Sequence, residues 1–337
     1  AGCVRGCGRA EDSLMGRRRP SRFHGLLPVF KKAGPTSHDV VDMARKALRE
    51  RRIGHTGTLD PMAEGLLLLC IGQATRLQQF LLGWDKTYRG EIHLGHATTT
   101  YDGEGEEMDP RGEPSELDRE TLDRLETRFS GEIEQVPPPY SAKKVDGKKL
   151  YELARSGEVV KPEPKPVTVH NLDLRADAPD RLSVEATTST GFYVRSLAHD
   201  IGCALGCGGY LHHLHRVAIG PYTAAGAIAQ ETLQESTADE IIGGDVWIPL
   251  ERASLPFPEI ELNSTAADRF VHGQEVVIFK SGDESLTVES KIMVRGPGGR
   301  LLGIGTVRAV LARGRTINIA PAMVFDFSTT TAGKSQR

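Results

Sequence analysis

The chain has 337 residues, 39% hydrophobic and 26% charged, with a formal net charge of -3 and a pI near 6.5. Such a length exceeds one ordinary domain of roughly 100 to 200 residues, so a large domain with a smaller companion is expected. The longest apolar run, Leu66 to Ile71, falls far short of the roughly 20 residues a spanning helix needs, and the charge balance confines any nucleic-acid site to a local basic patch.

Residues 1 to 24 carry six arginines against Glu11 and Asp12, a net +4 with few apolar residues, and read as a flexible tail. Cys3, Cys7, Cys70, Cys203 and Cys207 are unevenly spaced and follow no apolar signal core, which points to a reduced, cytoplasmic setting. Leu26 to Phe30 forms a short apolar strand. After Gly34-Pro35, Ser37 is the expected N-cap of a helix bearing Val40, Val41, Ala44 and Leu48 at helical spacing. Thr87 to Leu94, entered at Lys86, alternates: Tyr88, Ile92 and Leu94 share one face, Arg89, Glu91 and His93 the other. The acidic, Gly-rich stretch from Asp102 to Pro114 reads as a solvated loop, and Ser115 starts a helix with Leu122, Leu125 and Phe129 on one stripe.

Residues 135 to 166 read as a basic insertion, from Pro137-Pro138-Pro139-Tyr140 to Pro166; residues 141 to 155 hold five Lys/Arg against Asp146 and Glu152, a net +3. Leu182, Val184 and Ala186 mark a strand running into Ser189-Thr190-Gly191. Val194, Leu197, Ala198, Ile201 and Leu205 then mark a helix ended by Gly206, with Tyr193 and Arg195 at the junction. Beyond about Leu255, short alternating strands separated by Gly-rich turns predict a small β domain. The expected organisation is tail 1–24, catalytic domain 25–255 containing the insertion 135–166, β domain 256–328 and tail 329–337.

Chemistry concentrates in Gly54-His55-Thr56-Gly57-Thr58-Leu59-Asp60-Pro61-Met62-Ala63-Glu64-Gly65. Alone, Asp60-Pro61 is a turn initiator. The whole segment, however, resembles the catalytic motif of the TruB pseudouridine synthases, in which the Asp of Gly-His-Thr-Gly-x-Leu-Asp-Pro is the essential residue. The resemblance continues in Lys31 to Asp39, with Lys32 where Pro is usual, in Lys86-Thr87-Tyr88, in Gly191-Phe192-Tyr193-Val194-Arg195, and in Leu214-His215-Arg216-Val217-Ala218-Ile219-Gly220, which is less basic than the family's usual form. It implies an α+β fold: a mixed sheet flanked by helices around a central cleft, with the C-terminal region, including Gly303-Ile304-Gly305, as an appended PUA-like RNA-binding β domain.

The implied reaction turns uridine into pseudouridine, detaching the base at N1 and rejoining it through C5. Nothing is oxidised or lost, so no cofactor is expected, and no metal. A carboxylate beside the anomeric carbon is needed, with a proton acceptor near the new bond. The resemblance assigns Asp60 as that carboxylate, Arg195 as its ion-pair partner, and Tyr88 as the group that stacks on the base and is a candidate acceptor for the C5 proton. Tyr193 and Val217 are expected to contact the base or sugar, and His55 to occupy the stack vacated by a flipped uridine. Lys31, Arg76 and Lys86 complete the expected substrate contacts. In the insertion, Tyr140, Lys143 and Lys148-Lys149-Leu150-Tyr151 resemble the family's RNA-gripping thumb. The implied partner is the T-arm stem-loop of tRNA, modified at conventional position 55, with a monomer as the simplest state.

Three other readings compete. Ser141-Ala-Lys143-Lys144 fits Ser-x-x-Lys and Lys280-Ser281-Gly282 loosely resembles Lys-Thr-Gly of penicillin-binding enzymes, but the first follows three prolines and no Ser-x-Asn lies between. Cys203, Cys207, His212, His213 and His215 could supply zinc ligands, but contain no Cys-x-x-Cys pair; buried small residues on a helix explain the cysteines equally well. A non-catalytic RNA binder on the same scaffold would not need Asp60, Tyr88 and Arg195 together.

Overall fold

The computed structural model of the chain describes residues 20–114, 116–140, 163–279, 286–311 and 316–325, with backbone alone at 144–145 and 148–149. The apolar strand is β1 (Gly25–Lys31). Helix α1 (Ser37–Leu48) buries Val40, Val41, Ala44 and Leu48, but its cap is Thr36, locked in a capping box with Asp39. Ser37 is the first helical residue, and its hydroxyl is committed elsewhere. Strands β2 (Ile53–His55), β3 (Glu64–Ile71) and β4 (Lys86–Leu94) follow. Every residue of β3 after Glu64 is buried, as befits a continuous apolar run in the middle of a covered sheet.

Helix α2 (Arg119–Phe129), capped by Asp118 and not Ser115, buries Leu122, Leu125 and Phe129. Then come β5 (Gly131–Gln135), β6 (Lys165–Ala178), β7 (Arg181–Thr188), α3 (Val194–Leu205) and β8 (Gly209–Ile219). Gly206 closes α3 in the left-handed region at φ 76°. These strands form one mixed sheet whose body runs β1-β3-β8-β4-β7-β6-β5. The β4 face carrying Ile92 and Leu94 packs with Leu122, Leu125 and Phe129 of α2 and Leu197 and Ile201 of α3; each such side chain contributes roughly 1.5–3 kcal/mol relative to exposure.

The β3–β8 seam positions the site. The two strands run parallel and register over only two pairs, His215 with Glu64 and Arg216 with Gly65. Gly65 is required there: at φ +104° a Cβ would come within 2.4 Å of the Arg216 carbonyl oxygen. The segment after Asp102 departs from the expected solvated loop. Glu107–Arg111 pairs with His96–Thr98, and Asp102 itself is only 4% exposed.

The C-terminal region comprises β9 (Glu259–Glu261), α4 (Ser264–Val271), β10 (Val276–Phe279), β11 (Lys291–Arg295), β12 (Leu301–Leu311) and β13 (Thr316–Val324), in sheet order β9-β11-β12-β13-β10. Helix α4, capped by Asn263 and burying Ala267 and Phe270, adds to the all-strand expectation. Met293, Leu301, Ile304 and Phe325 share an apolar core with Leu26, Leu66 and Leu68, so the smaller sheet rests on the back of the larger one.

Candidate active site

The loop between β2 and β3 is fixed by groups that hold its backbone and leave one side chain free. Ser37 Oγ donates to the Leu59 carbonyl at 3.1 Å and accepts from the Leu59 N–H at 2.8 Å. Lys31 Nζ, fully buried, donates to the carbonyls of Ala63 (2.6 Å), Lys32 (3.0 Å), Asp60 (3.1 Å) and Pro61 (3.2 Å). Burial pulls the Lys31 pKa down to about 8. Arg216 reaches in from β8: Nε donates to the Leu66 carbonyl (2.8 Å), Nη2 to Gly57 (3.0 Å) and Nη1 to Thr58 (3.4 Å). Two buried cations thus donate to the carbonyls of a tight Gly-rich loop and fix its backbone.

Asp60 emerges from this frame with its side chain 35% exposed, against an Arg195 side chain that is 6% exposed. Arg195 Nη2 donates to Oδ1 at 3.1 Å, while Nε lies 2.9 Å from Oδ2 with its N–H off the line, a close ion contact without a directed hydrogen bond. The rest of the guanidinium is spent on other partners: Asp102 Oδ2 (3.2 Å), the Thr100 carbonyl (3.0 Å) and the Tyr140 carbonyl (3.1 Å). Asp102 is anchored in turn by Thr100 Oγ1 and the Glu104 N–H on its other oxygen. One buried cation therefore bridges two carboxylates, Asp60 facing a cavity and Asp102 closed off, each holding Arg195 against rotation.

Arg195 itself is aimed from the end of β5 and the residue after it. Gln135, 2% exposed at the end of β5, accepts from the Tyr193 N–H (2.7 Å) and donates to the Tyr193 carbonyl (3.0 Å). Ser196 Oγ donates to the Val136 carbonyl at 2.7 Å. The first turn of α3 is thereby pinned on both sides of Arg195.

Asp60 and Arg195 line a cleft of about 450 Å³ with Tyr88, Lys86, Phe192, Tyr193, Leu214, Arg216 and the 57–59 backbone. Its apolar side chains and single exposed carboxylate suit a flat, polar-edged ring. Burial pulls the Arg216 pKa down, and a hydrogen bond with Tyr88 and the charge of Asp60 oppose that shift. Lys86 Nζ donates to the Leu82 and Trp84 carbonyls, each at 2.6 Å, and burial lowers its pKa to about 8. A second cavity of about 330 Å³ lies at the same ion pair, lined also by Met62, Thr100, Asp102 and Tyr140.

The expected residues separate into three sets. Asp60, Tyr88, Tyr193, Arg195 and Lys86 meet at the cleft. His55 sits outside it at the end of β2, half-buried, its Nδ1 accepting from the Gly57 N–H at 3.3 Å. Burial and then Arg216 lower its pKa, so it is a neutral, flat ring at neutral pH. Lys31 is a loop anchor beneath the cleft, and Arg76 serves the C-terminal sheet, donating to the Val324 carbonyl at 2.7 Å with its guanidinium over the Phe325 ring. Val217 lies half-buried beside a slip in the β8–β4 register between Arg216 and Ala218; Leu214 and Arg216 line the cleft. Lys143 and the side chain of Lys148 fall outside the described residues, as do Ser141 and Lys280; the 144–145 and 148–149 backbones pair as a small hairpin.

Arg216, Gln135 and Asp102 had no expected role. Arg216 carried a signal, an arginine standing directly before the apolar end Val217-Ala218-Ile219 of its strand; Gln135 and Asp102 carried none.

Known proteins match over the same span. Residues 45–194 match the TruB family pseudouridylate synthase N-terminal domain, 195–254 the tRNA pseudouridylate synthase B C-terminal domain, and 258–313 the pseudouridine synthase II TruB C-terminal domain. The tRNA pseudouridine synthase B of Azoarcus sp. (strain BH72) is 41% identical over 86% of this chain and 94% of its own. That of Burkholderia lata is 46% identical over 77% and 80%. Among solved structures, a Cbf5-Nop10-Gar1 complex superposes with TM-score 0.70 at 23% identity, covering 90% of this chain and 85% of that one. An H/ACA RNP bound to a substrate RNA containing 2'-deoxyuridine superposes with TM-score 0.68 at 21% identity, covering 94% and 93%. With family models matching residues 45–254 and 258–313 and relatives 41% and 46% identical over most of the chain, the chain belongs to the TruB family of pseudouridylate synthases.

Proposed function

We propose that this chain isomerises a uridine of tRNA to pseudouridine, at the T-loop uridine of conventional position 55, with Asp60 acting on a base turned out of its stack. The observation that carries the reading is the carboxylate of Asp60, a third exposed at the floor of an apolar cleft and held by a buried arginine. The relatives named above as tRNA pseudouridine synthase B supply the substrate class.

The chemistry follows from the arrangement. Asp60 would work on the sugar by attack at the anomeric carbon or by removing a sugar proton, and Arg195 holds its carboxylate in place for either. As the glycosidic bond breaks, negative charge builds on the uracil ring; Arg216 and Lys86 at the cleft wall are cations placed to meet it. The base then turns and rejoins through C5, and Tyr88, beside Arg216, is the group that would take the released proton. Phe192, Tyr193 and Leu214 supply flat and apolar contact for the extruded ring, and neutral His55 is suited to fill the vacated stack. We read the enzyme as a cytoplasmic monomer, with the basic insertion, net +3 over residues 141 to 155, gripping RNA phosphates.

The test is pseudouridine formation at the T-loop uridine of an unmodified T-arm stem-loop RNA. Product from the parent and none from Asp60→Asn is the expected result. A well-folded parent that binds RNA but makes no product would reduce the chain to a binding protein.

A further inference from the structure

On the sheet face opposite Tyr88, three side chains from two strands form a cluster that the isomerisation does not use. Glu91 and His93 lie two residues apart on β4 and so share a face, while Tyr88, Ile92 and Leu94 occupy the other. His212 reaches them because the β8–β4 register slips between Leu211 and His213. Its neighbours Leu211 and Leu214 are buried while His212 and His213 are both exposed. The bulge lays the His212 ring on that of His93, stacked at 4.0 Å between centroids and 12° between planes.

We propose that Glu91, His93 and His212 form a binding site for one divalent transition-metal ion of the zinc type. One donor atom from each lies within 4.8 Å of the others, and the set is two imidazoles and a carboxylate. Imidazole selects zinc, copper or nickel over magnesium or calcium, and three protein ligands leave a fourth tetrahedral position to water. His93 is already oriented as a ligand, since the Tyr210 hydroxyl meets its Nδ1 at 3.3 Å and leaves Nε2 toward the Glu91 carboxylate. Such an outer partner is what fixes a ligating ring. Donors around a tetrahedral ion with bonds of about 2.1 Å stand about 3.4 Å apart and the ion lies in the plane of each ring, so binding draws the donors in by about 1 Å and turns the His212 ring out of its stack on His93. His212 is free to make that movement, being exposed, whereas Glu91 and His93 are partly sheltered.

The ion would clip β4 to β8, the strands that carry Tyr88 and Arg216, from the face away from the cleft. Its effect is on the stability of the sheet, and the isomerisation proceeds without it.

Zinc chloride is titrated calorimetrically into chelator-treated full-length protein, with thermal unfolding followed in parallel. One zinc per chain is expected at micromolar concentration with a raised Tm. His212→Ala should lose at least about tenfold in affinity together with the Tm rise, and Tyr210→Phe should lose about tenfold in affinity alone. Both variants should keep pseudouridine formation, which separates failure of this site from failure of the catalytic reading. Cobalt in place of zinc should give the visible absorption of a tetrahedral site in the parent only. Zinc binding of equal affinity in parent and His212→Ala, or no binding by a folded parent, overturns the proposal.

Discussion

Two short acidic loops converge on Arg195, and they are built in opposite ways. The Asp60 loop is held through its backbone, by Lys31, Arg216 and Ser37, so its carboxylate stays free with 35% of the side chain exposed. The Asp102 loop is held through the carboxylate itself, which is 6% exposed and takes bonds from Arg195, Thr100 and Glu104. The same cation therefore serves an open carboxylate on one side and an anchor on the other. A carboxylate that must react needs room and a pre-oriented partner; one that must orient needs burial and saturated bonds.

That contrast predicts which property each substitution moves. Asp60→Asn should lower kcat by about 10³-fold or more while RNA affinity and Tm stay close to the parent's; a large Tm loss would show that Asp60 is structural as well. Asp102→Asn should do both. With Arg195 released from its buried partner, about 3 kcal/mol of stability is lost, read as a lower denaturant midpoint at unchanged slope. Its kcat should fall about 10²-fold with little change in KM, because Arg195 no longer aims Asp60. Stability equal to the parent's in Asp102→Asn would dissolve the distinction between the loops.

Gln135→Leu sharpens the comparison from outside. Removing both bonds to the Tyr193 backbone should cost about 2 kcal/mol and reduce kcat roughly tenfold, with RNA affinity retained. If affinity falls and kcat does not, Gln135 serves the insertion instead of Arg195. The smallest expected effect is the pH response of His55. Its folded pKa lies below the ordinary 6.5, so the unfolded chain binds more protons between the two values. Stability should rise with pH across that window and level off above about 6.5. Tm measured against pH should show this rise in the parent and a flatter profile in His55→Asn.

Much of the frame was legible from local pattern. The spacing of Val40, Val41, Ala44 and Leu48 depends only on helical period, and Gly206 ends α3 because a left-handed residue there favours glycine. The Asp60 segment was legible because a dozen contiguous residues carry it. Other features were hidden by distance along the chain or by register. Asp102 looked like part of a solvated acidic stretch, since nothing beside it in sequence announces the arginine 93 residues on. Lys31 and Arg76 look like surface cations until the carbonyls they serve, 32 and 248 residues away, are known. Val217 was expected from the resemblance alone, and the slip in register beside it, between Arg216 and Ala218, is invisible without the partner strand.

The sequence by itself determined β1, β4 and the apolar faces of α1, α2 and α3, and it showed the family motif around Asp60, since periodicity and a contiguous loop are properties of neighbouring residues. Tertiary structure alone decided which of two aspartates faces the cleft, which cations are anchors, and that Glu91 and His93 meet His212. These depend on strand order and bulges, and burial makes a group's partners, more than its residue type, set what it can do.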